Sequence, residues 1–305
     1  MYTALALLAV NFLVFAAWIQ LLAPTPIRVS RWVEWVLDHL PTSVLVWMAR
    51  IVDRLTASTS TSDLRPRRPS DIRSLDWPII VSIEGNIGSG KSTLLRRLKE
   101  DHTDFLQEQG IVLVQEPVDV WMNYLDPEDG ESILKKFYDH PDRYAFLFQL
   151  VIHDSIMDAI DAAITANPDA RVLLCERSVS SSHEVFMKMF RDDGEVNALE
   201  YKYYRTITDN PNLEDYRPSH LFYLDTPVEV CMERIEVRGR ENETNITEHY
   251  LDKCEFYTEH WFKQVVKHQG EPGVPQFHRL DDNDPATFIQ TWYEVMSTPS
   301  APQPI

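Results

Sequence analysis

The chain reads as an α/β domain in which a parallel sheet is flanked by helices, and three observations predict it. From residue 78 onward, short β-rich runs alternate with longer stretches whose apolar residues recur at helical spacing, the pattern of strands joined by crossover helices. Residues 85–93, GNIGSGKST, fall between the first such run and the first such helix, where a glycine-rich turn can wrap a phosphate. The strands also end in chemically loaded segments, Glu84-Gly85, Glu116, Glu176-Arg177, Asp225 and Asp281-Asp282. In sheets of this kind ligands gather at the carboxyl ends of the strands.

Ile79, Ile80, Val81 and Ile83 make 79–84 a strand. Leu94, Leu95 and Leu98 give 90–100 a helix with one apolar face. A strand over 111–115 is stopped by Pro117, which leaves Glu116 on the rim beside the glycine-rich loop. Helical stretches over 132–166, a strand over 171–175 and further helical stretches to 209 follow. A strand over 220–224, helices over 228–237 and 246–269, a short strand over 277–280 and a last helix over 285–296 complete the domain.

A length of 305 residues with 44% apolar content supports one sizeable domain plus an appendage. Residues 1–75 hold eight Arg, no Lys and five acids, net +3, which leaves 21 basic against 42 acidic side chains in the other 230. Such an acidic body repels a nucleic-acid backbone, so no polymeric nucleic acid is expected as a partner. Cys175, Cys231 and Cys254 are odd in number and widely spaced, as reduced thiols are.

The first 24 residues differ from the rest. Over 3–22 only Thr3, Asn11 and Gln20 are polar and no residue is charged, long enough for a membrane-spanning helix. Arg28, Arg31, Arg50, Arg54, Arg65, Arg67 and Arg68 follow it, which places the remainder on the cytosolic side. A mitochondrial presequence is the alternative suggested by the Arg-rich, Lys-free composition. Residues 25–55 suit two short amphipathic helices carrying Trp32, Trp35 and Trp47, residues 56–76 a flexible linker, and 297–305 a disordered tail.

The loop of 85–93 has a chemical reading residue by residue. Gly85 and Gly90 let backbone N–H groups turn toward a triphosphate, Lys91 reaches its β and γ phosphates, and the Ser92 hydroxyl can ligate Mg²⁺. Glu176 can hold Mg²⁺ and Arg177 a transferring phosphoryl group, although an adjacent acid and guanidinium also make a structural ion pair. Glu116 can take a proton, or it is a solvated strand-end acid. Arg234 and Arg238 share a helix face, and Gly239 ends that helix and frees Arg240. The three suit a polyphosphate clamp, or a solvated face laced by pairs with Glu233, Glu236, Glu241 and Glu243.

The segments IEGNIGSGKST, EPVDVW, FYDHPDRYAFLFQ, ERSVSSS and RIEVRGRENE resemble, in order and spacing, the deoxyribonucleoside kinases over 77–296. The resemblance implies a P-loop kinase fold, with a five-stranded parallel sheet and an arginine lid, that uses ATP and Mg²⁺ to phosphorylate the 5′-hydroxyl of a deoxynucleoside. It implies ATP contacts from Gly85, Asn86, Ile87, Gly88, Ser89, Gly90, Lys91, Ser92 and Thr93, with Arg234, Arg238 and Arg240 as the lid. Glu116 resembles the general base, Arg177 the group that positions hydroxyl and phosphoryl, and Ser92 with Glu176 the metal ligands. Gln149 resembles the reader of the base edge, Trp121, Phe148 and Phe186 the walls of the base slot, and Tyr138 with Glu243 the holders of the 3′-hydroxyl.

Members that prefer deoxycytidine or purines carry a charged pair where this chain has Ile156 and Ser182, so it is similar to the thymidine-accepting branch and leans toward pyrimidines. Phe137, beside Tyr138, narrows the slot further. A homodimer is compatible with this reading. Two alternatives remain at this stage: a non-catalytic accessory subunit of a membrane assembly, and a nucleoside-monophosphate kinase.

Overall fold

The computed structural model describes residues 77–240 and 243–296. Five strands, β1 (Ile79–Gly85), β2 (Ile111–Val114), β3 (Val172–Glu176), β4 (His220–Leu224) and β5 (Gln276–Leu280), form one parallel sheet in the order β2-β3-β1-β4-β5. β1 lies at the centre, and apart from exposed Ile79 its residues are buried, so both of its faces must be covered. Ile83 pairs with Glu176 and Gly85 with Leu224, which brings the ends of three strands to one rim.

The alternation along β1 sends Val81 and Ile83 to one side and Ile80, Ser82 and Glu84 to the other. Val81 and Ile83 join Leu174 and Phe222 against Leu94, Leu95 and Leu98 of α1 (Lys91–Asp101). Phe288 and Trp292 of α11 (Pro285–Met296) close that layer. On the opposite face Ile80, Leu173 and Cys175 meet Ile156, Met157 and Ile160 of α5 (Pro141–Ala166). Leu221 and Tyr223 meet Trp261, Phe262 and Val265 of α10 (Glu248–Lys267) on the neighbouring strand.

The remaining elements frame the strand ends. They are α2 (Thr103–Gln109), α3 (Val118–Asn123), α4 (Ile133–Asp139), the single-turn α6 (Val179–Ser181), α7 (Lys188–Asp192), α8 (Ala198–Thr208) and α9 (Val228–Arg238). A π-helical turn (Ser182–Met187) joins α6 to α7, and a 3₁₀ turn (Pro211–Tyr216) precedes β4.

Several boundaries differ from the sequence reading. The helical stretches expected over 132–166 are two helices that part at His140, a point the sequence reading did not specify, because Pro141 starts a new helix at a position where its missing N–H costs nothing. The helix expected over 246–269 begins at Glu248, since Thr247 accepts a hydrogen bond from Tyr250 N and caps it. Neither α2 nor α3 is foreseen by the strand-and-helix alternation.

The anchor expected over 3–22, the amphipathic helices, the linker and the tail lie outside the described residues. Among the described residues no helix is long and apolar enough to cross a membrane. The longest, α5, has 26 residues and so the length to span, but carries Asp142, Arg143, Asp154, Asp158 and Asp161, charges that hydrocarbon does not tolerate. The expectation of a membrane-anchored protein is corrected accordingly.

Candidate active site

The loop from β1 to α1 follows the backbone demands of its glycines. Gly90 caps α1 with φ 104°. Gly88 has φ 82°, and a Cβ there would meet the Cys231 carbonyl oxygen of α9 at 2.5 Å. Asn86 turns away from the loop's mouth: its Oδ1 accepts from Ile87 N and its Nδ2 donates to Leu251 O at 2.9 Å, tying the loop to α10. Lys91 is buried, and its Nζ donates to the carbonyls of Gly85 (3.2 Å) and Asn86 (2.8 Å). Burial, reinforced by Arg177, pushes the Lys91 ammonium down to about 8.

Ser92 Oγ donates to Glu176 Oε1 at 2.6 Å across the gap between α1 and the end of β3. A hydroxyl beside a carboxylate is an oxygen donor set that suits Mg²⁺, which keeps its other positions for water and phosphate. Among the described residues no group of three His, Cys, Asp or Glu is placed to hold a metal ion.

Glu116 follows β2 and pairs with Arg177 Nε at 3.1 Å. Burial pushes the Glu116 carboxyl above the ordinary carboxylate range, Arg177 pulls it back, and Glu176 adds to the rise. Arg177 has φ 63°, alone among the described non-glycine residues in being positive. Backbone strain of this kind collects at functional sites. Its guanidinium carbon lies 5.1 Å from the centre of the Phe186 ring, a cation–π contact.

The far end of the cavity is built from side chains of α3, α4, α5 and the π-helical turn. Ser182 Oγ donates to Gln149 Oε1 at 2.5 Å, with both residues almost wholly buried. Trp121 meets Phe148 edge-on at 5.6 Å and donates through Nε1 to Ser155 Oγ at 2.8 Å. Phe148 in turn stacks on Phe137 at 4.7 Å. A π-helical turn accommodates an extra residue, a device frequent at functional sites, and this one contributes both Ser182 and Phe186.

The arginines expected to form a lid are engaged in a way the sequence does not disclose. Glu243 is 7% exposed and accepts from Arg238 Nη2 at 2.6 Å, Arg238 Nε at 3.0 Å and Arg240 Nη1 at 3.1 Å. Arg234 instead donates to Ser89 O at 2.8 Å on the loop between β1 and α1. Of the acids weighed above as partners, Glu243 thus pairs with Arg238 and Arg240, and it does so from a buried position. Burial, followed by the charge of Glu243, pushes the Tyr138 phenol well up.

These residues border a single cavity of about 750 Å³. It brings together Ile87, Gly88, Gly90, Lys91, Ser92, Thr93, Glu116, Glu176 and Arg177 with Trp121, Tyr138, Phe148, Gln149, Phe186, Arg234, Arg238, Arg240 and Glu243. Gly85, Asn86 and Ser89 do not line it. Asn283 and Tyr250 also line it, and the sequence reading missed both. Asn283 directly follows the strand-end pair Asp281-Asp282, a usable signal; Tyr250 comes from one face of a distant helix and left none.

The sequence profile of the deoxynucleoside kinase family matches residues 81–291, and the chain belongs to that family. It is 32% identical over 198 residues to deoxycytidine kinase 2 of Gallus gallus, spanning 59% of this chain and 72% of that protein. It is 30% identical over 198 residues to deoxycytidine kinase of Homo sapiens, spanning 59% of this chain and 74% of that protein. To the thymidine kinase of Ictalurid herpesvirus 1 it is 30% identical over 205 residues, covering 65% and 80% of the two chains. The family and these relatives support a nucleoside-kinase activity.

Proposed function

We propose that this protein transfers the γ-phosphoryl group of ATP to the 5′-hydroxyl of a deoxyribonucleoside, with pyrimidine deoxynucleosides preferred. One observation carries the reading. The Glu116–Arg177 pair lies in the same cavity as Lys91 and Ser92 and as the Gln149–Ser182 pair, so phosphate chemistry and base recognition meet at one carboxylate.

Phosphoryl transfer calls for positioning and charge neutralisation more than covalent help. Lys91 and the lid arginines bind the β and γ phosphates, and Arg177 orients the acceptor hydroxyl toward the γ phosphorus. Mg²⁺, held by Ser92 and Glu176, supplies charge neutralisation when bound. Glu116 takes the proton of the 5′-hydroxyl as its oxygen bonds to the γ phosphorus and the bond to the bridging oxygen breaks, releasing ADP. A carboxylate with a pKa raised by burial is a stronger base for that step than an exposed one. Tyr138 and Glu243 receive the sugar 3′-hydroxyl, which requires Glu243 to share or leave its two arginines.

The pyrimidine preference rests on Gln149, Ser182 and Ile156. An amide offers a donor and an acceptor side by side, and either order matches thymine or cytosine according to which way the amide faces. The Ser182 hydroxyl follows the choice, because it can donate to Oε1 or accept from Nε2. Ile156, buried, stiff and uncharged, gives a purine neither space nor a charged partner.

The test is ATP-dependent phosphorylation of thymidine, deoxycytidine, deoxyadenosine, deoxyguanosine and thymidylate by the full chain, followed by product identification. Pyrimidine deoxynucleosides should give 5′-monophosphates with the highest kcat/KM. A higher kcat/KM for deoxyguanosine than for both pyrimidines removes the preference, and turnover of thymidylate alone replaces the reading with a monophosphate kinase.

A further inference from the structure

One buried carboxylate in the centre of the fold has no part in the mechanism above. Glu84 ends β1 just before the phosphate loop and is 1% exposed. Its Oε1 accepts from Ser82 Oγ at 2.5 Å and from Ser178 Oγ at 2.7 Å. Burial raises its pKa, and the strongest opposing influence is Arg177, followed by the two hydroxyls and Lys91. A carboxylate so deep in a protein is costly unless its oxygens are hydrogen-bonded; here the Ser82 and Ser178 hydroxyls do this, and the charges that favour its ionised form are those of Arg177 and Lys91.

Ser178 connects Glu84 to Arg177. Its hydroxyl donates to Glu84 and accepts from Ser181 N at 3.3 Å, while its own N donates to Ser181 Oγ at 3.4 Å. This fixes the residue after Arg177. The turn is fixed from the other side by Arg177 N donating to Ile83 O at 3.0 Å. Arg177, at φ 63°, is thus clamped between two anchors that both lead to the last residues of β1. A strained arginine holds its place only where the surroundings over-determine it.

Resting on the kinase reading above, we propose that Glu84 is the positioning residue of Arg177. Seated on the Ser82 and Ser178 hydroxyls, its carboxylate holds the turn that aims Arg177 at Glu116. It also supplies the buried counter-charge that Arg177 needs once Glu116 has accepted the substrate's proton and become neutral. The role is catalytic support at one remove, because Glu84 does not line the cavity and touches no reacting atom.

Glu84→Gln keeps an acceptor for both hydroxyls and removes only the charge, whereas Ser178→Ala keeps the charge and removes one anchor. Steady-state kinetics of the full chain, with nucleoside affinity measured by calorimetry, should show kcat lowered about 10- to 100-fold in Glu84→Gln, since misplacing a catalytic group has effects of that size. Nucleoside Kd and the KM for ATP should stay within about threefold of the native values, and Ser178→Ala should lose kcat in the same manner. A second readout needs no turnover: the side-chain Nε–H resonance of Arg177 in ¹⁵N-arginine-labelled protein, assigned with Arg177→Lys, should shift or broaden in both variants. A kcat for Glu84→Gln within about twofold of native overturns the proposal, as does an unmoved Arg177 resonance. Loss of kcat only in proportion to lost nucleoside-binding sites assigns Glu84 to folding alone and overturns it equally. Should the native chain phosphorylate no nucleoside, the kinase reading fails, and the resonance by itself decides whether Glu84 positions Arg177.

Discussion

The two ends of the cavity are made of different material. The phosphate end is one short loop and the first turn of one helix, in which Lys91 and Ser92 stand side by side and backbone carbonyls of Gly85 and Asn86 hold the lysine. The base end gathers Trp121, Phe148, Gln149, Ser182 and Phe186 from two helices and a π-helical turn, and two hydrogen bonds, from Ser182 to Gln149 and from Trp121 to Ser155, steady it. A triphosphate offers the same charges whatever the base attached to it, so a contiguous loop, a strand rim and the arginines at one helix end suffice on the proposed mechanism. A base differs from its competitors by an edge and a volume, and reading those takes walls that approach from several sides.

Substitutions at the two ends should therefore fail differently. On the proposed mechanism Lys91→Met removes the buried cation that binds the phosphates and should lower kcat by about 10²- to 10³-fold for every nucleoside alike, the scale seen when one group that stabilises transition-state charge is lost. Parallel rate measurements on thymidine and deoxycytidine check this; unequal losses break the division between the two ends. Gln149→Ala should instead act through the base, costing about 1–3 kcal/mol in kcat/KM, the range of a bidentate amide contact. KM for ATP should be almost unchanged.

The pH profile addresses both ends in one experiment. Glu116 must be ionised to act, and burial raises its pKa, so kcat/KM should fall with decreasing pH well before the ordinary glutamate value of about 4.3 is reached. Lys91 must be charged to bind phosphate, and its pKa is lowered to about 8, so kcat/KM for ATP should fall again as pH rises through that value. In the kcat profile the alkaline limb should move up, because bound phosphates favour the charged ammonium. An alkaline limb that stays in place separates Lys91 from the donor nucleotide. The smallest effect belongs to Ser182→Ala, which removes one neutral hydrogen bond and should change the thymidine-to-deoxycytidine preference by about 2- to 10-fold, the equivalent of about 0.5–1.5 kcal/mol.

The same contrast governs what the sequence discloses. The strand–loop–helix of 79–100 is legible because its information is local: β-branched residues, then glycines, then leucines at helical spacing. The parallel sheet follows from alternation, yet its order β2-β3-β1-β4-β5 depends on crossover packing that no single segment records. The helical stretches over 132–166 are legible as such, and Pro141 marks where they part. The positive φ of Arg177 and the double pairing of Glu243 leave no local trace, since each arises only when distant elements meet. Gln149 and its aromatic neighbours are visible through resemblance to the kinases, whereas Tyr250 and the hydroxyls around Glu84 are visible only in three dimensions.

Glu116 is where the two ends meet, so Glu116→Gln puts the most direct question. It preserves shape and hydrogen-bonding reach while removing the proton acceptor. Measured on one preparation, kcat should fall by about 100-fold or more, with nucleoside Kd by calorimetry within about threefold of native. A variant that retains more than about a third of native kcat would contradict the assignment of Glu116 as the base.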